Sequence, residues 1–383
     1  MSGYIFNLDS PDALRGACVS GCFGTRIRAQ TRDVWHNAYE ATFADYCSMR
    51  PGEHVYFFSE RRLYGIGELT PIDGGPAFLN FPGASSPRPA VPTTTLIPNT
   101  AGPAGIDSIR WICLFRPSPF WFRNGVDMDD ALSSRPSAFR MLRAFWRRSF
   151  IKIDDAEDGA LGDAIRLANR AAIEGRDPAA VFDDDSAASH QRIQLVLTPE
   201  HRLGADDIWR PVTSAGRIRH EMALEAGLVQ QLTKRDDRTV AVFGDWDFIA
   251  HQVFASPAKP PDYGDWMDIF GYRRLRGFET IGDFCVAELK SGIASANDVE
   301  QLMKYVDWLA ASYAFGDYSR VRAWLVASAF EPATDDAIRD HAQRAQTVGR
   351  RPARTVRWGL RGEFARVRYE PDEAAGLIRF HLV

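Results

Sequence analysis

Apolar residues recur along the chain with two different spacings, which predict strands in some stretches and helices in others. Short apolar or alternating stretches such as EHVYFF (53–58) and FCVAELK (284–290) are typical of β-strands. Apolar residues three or four apart in DAEDGALGDAIRLANRAAIEG (155–175) and NDVEQLMKYVDWLAASYAF (297–315) are typical of amphipathic helices. We therefore expect a protein that mixes α and β structure.

The N-terminal half contains several predicted strands before its first long helix. EHVYFF, the turn SERR and LYGIGEL (63–69) predict a β-hairpin. YIFNL (4–8) and IRWICLFR (109–116) predict two more strands. Residues 82–106 are rich in Pro, Gly, Ser and Thr, which predicts a long loop.

The C-terminal half alternates predicted helices and strands. In chain order they are a helix at 217–232, strands at 239–244 (TVAVFG), 248–254, 266–272 and 284–290, a helix at 297–315, a strand at 321–328 and a helix at 335–345. Asn297 or Asp298 is the expected N-cap of the helix at 297–315. This order describes an α/β domain with a mixed central sheet.

The length and one acidic stretch predict how the chain is divided. A chain of 383 residues favours two domains, with three as the alternative. FDDDSAASH (182–190) is polar and acidic, which is typical of a linker. We expect a first domain at 1–176, a linker at 177–215 and a second domain at 216–383.

Composition narrows the class of protein. The net charge is −4, which argues against a protein that coats nucleic acid with a surface that is basic throughout. The chain has no apolar run of the length that a membrane span requires, so no membrane partner is expected. Its five cysteines lack paired ligand spacing and the first residues do not read as a signal peptide, so we expect reduced thiols in a cytoplasmic protein.

The strand FCVAELK carries Glu288 and Lys290 on one face, because residues two apart in a strand point the same way. A surface ion pair is the simplest explanation, but a buried pair gains little stability, so an apolar strand has weak structural reason to carry both. A carboxylate can hold a hard cation, and a lysine beside it can orient water or stabilise charge on a phosphate. Asp268 in WMDIFGY would supply a second carboxylate and the carbonyl of Leu289 a further ligand.

Asp268 followed by Glu288-Leu289-Lys290 resembles the PD-(D/E)XK nuclease superfamily. Gln301 and Tyr305 match the Q-x-x-x-Y helix motif of its RecB-like branch, and they share a helix face because they are four residues apart. The order of elements is also similar to the catalytic domain of mismatch-type endonucleases. The resemblance covers about residues 216–330 and implies a restriction-endonuclease-like fold with a mixed sheet.

The resemblance also implies roles for individual residues. Asp268 and Glu288 would bind Mg²⁺ or Mn²⁺, Lys290 would act on water or the phosphate, and Gln301 and Tyr305 would support the site. The first helix of such domains often adds an acidic residue, and Glu221 or Glu225 could serve. The sequence departs from the family in the length of 236–262 and in having methionine rather than proline before Asp268.

The N-terminal domain resembles the PUA-like group that includes the EVE and YTH modules. The residues that carry the resemblance are YIFNL, GCFGT, PGEHVYFFSERRLYGIGEL and AFWRRSFIKIDD. Such modules are β-barrels around a pocket for a flipped or modified base, where aromatic faces stack on the base. The alternative for these aromatic residues is an ordinary apolar core. The candidates for the pocket are Trp35, Trp111, Trp121, Phe122 and Phe58, and Arg147 and Lys152 are candidates for phosphate contacts.

Residues 341–369 contain eight arginines against a single acidic residue, Glu363. A local basic excess in an acidic protein suits the tracking of a phosphate backbone, for which Arg351, Arg354 and Arg357 are the candidates. The alternative is an exposed hairpin in which RTVRWGL turns at Arg361-Gly362 into EFARVRY.

Together the two resemblances imply a metal-dependent DNA endonuclease targeted by an N-terminal base-reading domain, in defence or modification-dependent restriction. The alternatives are a repair endonuclease for mismatched or branched DNA and a non-catalytic nucleic-acid or nucleotide sensor. The DNA could be modified or single-stranded, and RNA stays open because PUA-like domains serve RNA widely. A homodimer is a further option, since many such nucleases pair to cut both strands.

Overall fold

The computed structural model shows two compact units. Unit 1 is Met1–Asp207 and unit 2 is Ile208–Val383. The division lies within 177–215, the segment that the sequence predicts as a linker. The structure describes residues 2–26, 41–87, 94–98, 109–142, 149–177, 181–255, 265–349, 352–359 and 362–383.

Unit 1 contains a seven-stranded sheet flanked by helices. The strands are β1 (Gly3–Asn7), β2 (Cys22–Arg26), β3 (His54–Ser59), β4 (Arg62–Leu69), β5 (Ala77–Leu79), β6 (Ile109–Asp127) and β7 (Phe150–Ile153). The helices are α1 (Pro11–Ser20), α2 (Phe43–Ser48), α3 (Met128–Ser134), α4 (Asp155–Ala168), α5 (Arg170–Ile173) and α6 (Ser186–Val196). The short helix α7 (Asp206–Trp209) contains the division between the units.

The strands of this sheet follow the order β2-β6-β4-β3-β1-β7, and β5 also pairs with β6. β1 is parallel to β3 and antiparallel to β7. Within the described residues, β2 and β7 do not pair with each other. The mixture of α and β structure is as expected, whereas the closed PUA-like barrel stays a prediction.

The hairpin predicted at 53–69 is present. β3 and β4 pair antiparallel with Ser59 opposite Arg62, so Glu60 and Arg61 form the turn. Both turn residues have positive φ, 49° and 63°. This is the geometry of the type I′ turn, whose twist matches that of the two strands.

Part of the predicted linker is a packed helix. Ile193 of α6 is buried in an apolar cluster with Ile112 and Leu114 of β6. His190 of the same helix places Nε2 2.9 Å from the carbonyl oxygen of Gly21. The acidic stretch before α6 therefore leads directly into structure that belongs to unit 1.

Unit 2 is built on a six-stranded sheet. Its longer strands are β10 (Phe248–Phe254), β11 (Trp266–Arg274), β12 (Ile281–Leu289), β14 (Val321–Ala327), β18 (Phe364–Asp372) and β19 (Leu377–Leu382). Short pairs are formed by β8 (Thr213–Ser214) with β9 (Arg217–Ile218), β13 (Ile293–Ala294) with β15 (Ala329–Phe330), and β16 (Arg344–Val348) with β17 (Arg354–Trp358). The helices are α8 (Glu221–Thr233), α9 (Asp237–Phe243), α10 (Ala296–Ser312) and α11 (Pro332–His341).

The six strands follow the order β10-β11-β12-β14-β18-β19. β10, β11 and β12 are antiparallel, β12, β14 and β18 are parallel, and β18 and β19 are antiparallel. The prediction of a mixed central sheet is therefore confirmed. In the described ranges, no helix is long and apolar enough to cross a membrane.

The strand predicted at TVAVFG is wrong, because this segment forms α9. Asp236 is its N-cap and accepts hydrogen bonds from Thr239 N at 3.0 Å and Thr239 Oγ1 at 2.9 Å. Gly244 follows the helix with φ of 84°. Capping at both ends outweighs the strand preference of the two valines, which is weak and depends on context.

The N-cap of α10 is Ser295 rather than Asn297 or Asp298. Asp298 is instead the third residue of the helix and closes a capping box with Ser295. Its Oδ2 accepts hydrogen bonds from Ser295 N at 2.7 Å and from Ser295 Oγ at 2.9 Å. A capping box satisfies two otherwise unpaired backbone N–H groups. The start of α10, close to Lys290, is therefore fixed.

The hairpin predicted for RTVRWGL and EFARVRY is also wrong. β17 pairs with β16, whereas β18 pairs with β14 and β19. Trp358 at the end of β17 is buried and donates from Nε1 to the carbonyl of Val321 at 2.9 Å. Arg361 lies outside the described residues, and Gly362 precedes β18.

A side chain of α8 forms hydrogen bonds with the outer edge of β19. Gln231 donates from Nε2 to the carbonyl of Ile378 at 2.9 Å and accepts from the N–H of Ile378 at 2.8 Å. Both backbone groups of Ile378 therefore point away from β18 and are bonded to one amide.

Candidate active site

Strands β11 and β12 bring two carboxylates together. Their antiparallel register pairs Ile269 with Ala287, and continuing it by one residue places Asp268 opposite Glu288. Directly opposite residues share a face of the sheet. Oδ2 of Asp268 accepts a hydrogen bond from the N–H of Leu289 at 2.8 Å, so this side chain of β11 is bonded to the backbone of β12.

Lys290 lies beside this pair. Its Nζ is 2.6 Å from Oε1 of Glu288 and 3.8 Å from Oδ1 of Asp298. The side chain of Glu288 is 1% exposed and that of Lys290 is 21% exposed, so the amine reaches solvent and the carboxylate does not. Oε2 of Glu288 is buried and has no hydrogen-bond partner among the described residues.

Burial opposes the ionisation of both carboxylates. It raises the pKa of Asp268 well above its ordinary value, and the charges of Glu288 and Glu225 raise it further. It raises the pKa of Glu288 to about 7, although the charge of Lys290 and its hydrogen bond lower it. Two buried acids of this kind gain from a nearby cation, because a positive charge favours their ionised forms.

The amine of Lys290 stays charged. Burial lowers its pKa, but the charge and hydrogen bond of Glu288 outweigh that effect, so the net shift is upward. Glu221 and Asp268 add to the rise. Lys290 is therefore suited to donate hydrogen bonds and to stabilise negative charge, and unsuited to accept a proton at neutral pH.

Gln301 and Tyr305 lie on α10 and are bonded to each other. Nε2 of Gln301 donates to Oη of Tyr305 at 2.9 Å. Tyr305 is 1% exposed, and its pKa is raised by burial and then by the charges of Glu288 and Asp268. The face of α10 with the Q-x-x-x-Y motif is thus within electrostatic range of the two carboxylates.

The two glutamates of α8 differ in their surroundings. Glu225 is buried, with Oε1 2.8 Å from Nδ1 of His251 and Oε2 3.2 Å from Nε2 of Gln252. Glu221 is exposed and makes a long contact of 3.5 Å with the N–H of Ser291. The carboxylate of Glu221 is therefore open to solvent, whereas that of Glu225 is enclosed and hydrogen-bonded through both oxygens.

His251 and Gln252 are the residues that the sequence analysis did not select. Besides contacting Glu225, Gln252 places Nε2 3.0 Å from Oδ1 of Asp268. The available signal was a polar pair inside an otherwise apolar strand, FIAHQVF. A strand buried on both sides has the same reason to avoid polar residues that made Glu288 and Lys290 conspicuous.

The donors at this site suit a hard divalent cation. Within the described residues, no three His, Cys, Asp or Glu side chains are already arranged as a metal cluster. The carboxylates of Asp268 and Glu288 nevertheless supply oxygen donors of the kind that Mg²⁺ and Mn²⁺ accept, and the carbonyl of Leu289 stays a predicted further ligand. The unpartnered Oε2 of Glu288 is the observation that favours a bound cation, since buried polar atoms are otherwise satisfied.

Three of the aromatic residues predicted for a base pocket lie in the core of unit 1. Trp111, Trp121 and Phe122 are 0%, 1% and 0% exposed. The ring of Trp111 lies 4.6 Å from that of Phe43, and Phe58 packs on the same apolar cluster as Phe122. No base can stack on Trp111, Trp121 or Phe122 without unpacking the core, which corrects the prediction for these three, whereas Phe58 is half-buried and stays a prediction. Trp35 lies outside the described residues.

The predicted phosphate contacts divide into three groups. Lys152 is buried, with Nζ 3.6 Å from Oε1 of Glu53, and burial lowers its pKa, so it is not presented to a phosphate. Arg354 and Arg357 of β17 are exposed. Arg147 and Arg351 lie outside the described residues. Several other arginines of the basic segment form ion pairs, including Arg344 with Asp307, Arg366 with Asp335 and Arg368 with Glu370.

Comparisons with known proteins give limited similarity. No family model and no curated protein matches the chain. A repair endonuclease from Pyrococcus abyssi is 23% identical, over 31% of this chain and 43% of that one, with a TM-score of 0.22. The structure of an EndoMS-dsDNA2 complex is 22% identical, over 31% of this chain and 41% of that one, with a TM-score of 0.21. Similarity at this level does not establish a shared activity, so the chemistry has to follow from the residues themselves.

Proposed function

We propose that unit 2 is a divalent-metal-dependent nuclease that hydrolyses phosphodiester bonds in DNA. The observation that carries the proposal is the convergence of Asp268, Glu288 and Lys290 on neighbouring strands. Oδ2 of Asp268 is bonded to the backbone of Leu289, and Nζ of Lys290 is 2.6 Å from Glu288. The resemblance of these residues to the PD-(D/E)XK pattern points the same way.

Asp268, Glu288 and the carbonyl of Leu289 would hold Mg²⁺ or Mn²⁺. Each bonded oxygen of Asp268 keeps a lone pair, because a carboxylate accepts at up to about four positions. When bound, the ion would lower the pKa of a coordinated water and neutralise charge on a phosphate. Either α8 glutamate would add a further carboxylate: Glu221 is exposed, and Glu225 is linked to Asp268 through Gln252.

Lys290 would donate to the attacking water or to a phosphate oxygen. Its raised pKa keeps the amine protonated, and its partial exposure lets it reach a substrate while it remains bonded to Glu288. Tyr305 and Gln301 would limit the space on the α10 side of this site, because Tyr305 is buried and its hydroxyl is hydrogen-bonded to Gln301.

The form of DNA that the enzyme would cut is a separate question from the chemistry of cleavage. Arg354 and Arg357 are exposed and would contact phosphates. Modification-dependent restriction and repair of mismatched or branched DNA differ in substrate and share the same chemistry. A panel of plain, modified, mismatched, branched and single-stranded DNA, with RNA as an additional arm, would separate these roles.

The test is cleavage of that panel by the full chain with and without Mg²⁺. Lys290→Ala and Asp268→Asn should each lower the cleavage rate by a factor of about a hundred or more, as loss of an electrostatic contributor does. Lys304→Ala removes an exposed lysine from α10 and should cut like wild type.

Equal cutting by wild type and Lys290→Ala would rule out this mechanism. Calorimetry with Mn²⁺ covers the remaining alternative of a non-catalytic sensor. A wild-type chain that cuts nothing and binds no Mn²⁺ through Asp268 and Glu288 would favour the sensor over the nuclease.

A further inference from the structure

Gln252 of β10 faces the candidate site from the edge of the sheet. The antiparallel register of β10 and β11 places Gln252 opposite Asp268, between the pairs that its two neighbours form. Its Nε2 lies 3.0 Å from Oδ1 of Asp268 and 3.2 Å from Oε2 of Glu225. One side chain thus links a proposed metal ligand to the helix behind it.

The chemistry of these contacts fixes the orientation of the amide. With a cation bound, Asp268 would be ionised and could only accept a hydrogen bond, so the NH₂ group and not the amide oxygen would face it. An NH₂ group has two N–H bonds, one for each carboxylate. Gln252 therefore matches a pair of acidic acceptors without adding charge.

The backbone at Gln252 is unusual for a strand. Its φ is +50°, in the left-handed region that residues other than glycine rarely occupy. Adjacent residues of a regular strand face opposite sides, yet His251 and Gln252 both contact Glu225. The left-handed conformation breaks the alternation and allows both contacts. Such strain persists where the surrounding contacts enforce it, and it is common at functional sites.

We propose that Gln252 is a positioning residue for the metal ligand Asp268. Oδ2 of Asp268 is held by the N–H of Leu289 and Oδ1 by Gln252, so the plane of the carboxylate is fixed at both ends. The strained backbone places the amide for this contact. This inference rests on the proposed metal-dependent function and assigns a role to a residue outside the nuclease motif.

The experiment compares Gln252→Gly and Gln252→Asn with wild type in the full chain. Glycine accepts positive φ and removes the amide, whereas asparagine tolerates this backbone but is one methylene too short to bridge both carboxylates. We expect both variants to unfold near the wild-type temperature in metal-free buffer. Their affinity for Mn²⁺ alone should fall by about tenfold or more, as for other residues that orient metal ligands.

Ala215→Gly is the matched control. Ala215 has φ of +51° in the turn between β8 and β9, which form a sheet separate from the one that carries Asp268 and Glu288. Glycine there removes the same kind of strain, so the Mn²⁺ affinity should equal that of wild type.

The outcomes separate the two proposals. Unchanged Mn²⁺ affinity in both Gln252 variants, with a wild type that binds Mn²⁺ and cuts DNA, would overturn the positioning role and leave the nuclease intact. Lower affinity accompanied by clearly lower unfolding temperatures in both variants would also overturn it, in favour of a role in folding. A wild type that neither binds Mn²⁺ nor cuts would overturn the nuclease and the positioning role together.

Discussion

At the residue scale, Gly67 and Trp121 show how closely unit 1 is packed where a base pocket was expected. A Cβ added at Gly67 would lie 2.6 Å from Cζ3 of Trp121 and 3.2 Å from the carbonyl of Arg116. The Trp121 ring is also held by Phe57 and Phe115, with centroids 5.4 and 5.7 Å away. The indole therefore has little room to move.

Gly67→Ala should lower the free energy of unfolding by about 1–3 kcal/mol, because the added methyl overpacks a rigid core. Gly159→Ala is the control, since an added Cβ there meets nothing within 4 Å and lies inside helix α4, where alanine gains about 0.5–1 kcal/mol over glycine. Urea denaturation measures both. A neutral Gly67→Ala would show that Trp121 can swing aside and would revive the pocket.

Individual site residues differ in how far the sequence could predict them. Glu288 and Lys290 stand out because their spacing alone places them on one face of an apolar strand. Gln252 was missed because its role depends on a left-handed φ, which no pattern of side chains encodes for a residue other than glycine. The buried state of Trp111 and Trp121 could not be read from residue type alone, since tryptophan occurs both in cores and in ligand-binding sites.

At the element scale, helix α4 begins with a buried acid. Glu157 accepts from the N–H groups of Met141 and Leu142 at 2.9 and 2.7 Å, and from that of Asp154 at 3.3 Å. Asp154 caps the same helix in return, accepting from Glu157 N at 3.0 Å. This capping box thus joins the helix to the segment before β7.

The stability of unit 1 should depend on pH through Glu157. Burial, and then the charge of Asp154, raises the pKa of Glu157 from 4.5 to about 8. Between these values the folded protein keeps a proton that the unfolded chain has lost, so the free energy of unfolding should fall as pH rises through this window. It should level off above about pH 8.

Glu157→Gln, which cannot ionise, should show a flatter dependence when urea unfolding is followed from pH 5 to pH 9. It keeps the oxygen that accepts from Met141 and Leu142. The same slope in wild type and variant would assign the pH dependence to other groups.

Helices and strands could be predicted where the contacts that determine them join residues close together in the sequence. The β3–β4 hairpin follows from two alternating segments around a short turn. The segment 239–244 was assigned to a strand because its valines favour one, while the deciding Asp236 cap lies just outside it. β17 and β18 were joined into a hairpin because they are neighbours in sequence, but β18 pairs in parallel with the distant β14.

At the scale of the whole molecule, the proposed metal ligands all belong to one unit. Asp268, Glu288 and Leu289 lie in unit 2. A ligand that binds only the folded state stabilises it by about 2.7 kcal/mol at a hundred times its dissociation constant. The two units should therefore respond differently to metal.

Saturating Mg²⁺ should slow amide hydrogen exchange in the sheet of unit 2, while exchange in unit 1 stays the same. Mass spectrometry of the full chain resolves the two, and removal of Mg²⁺ with a chelator should reverse the effect. Glu288→Ala should lose it. Equal protection of both units would mean that the ion binds elsewhere or stabilises the chain as a whole.

Gln231 has a consequence for association between molecules. Its amide already serves the two backbone groups that Ile378 turns away from the sheet. A strand from a second copy would have to displace this amide before it could extend the sheet along β19. Extension of the sheet by strand exchange or fibre growth is thereby discouraged at this position.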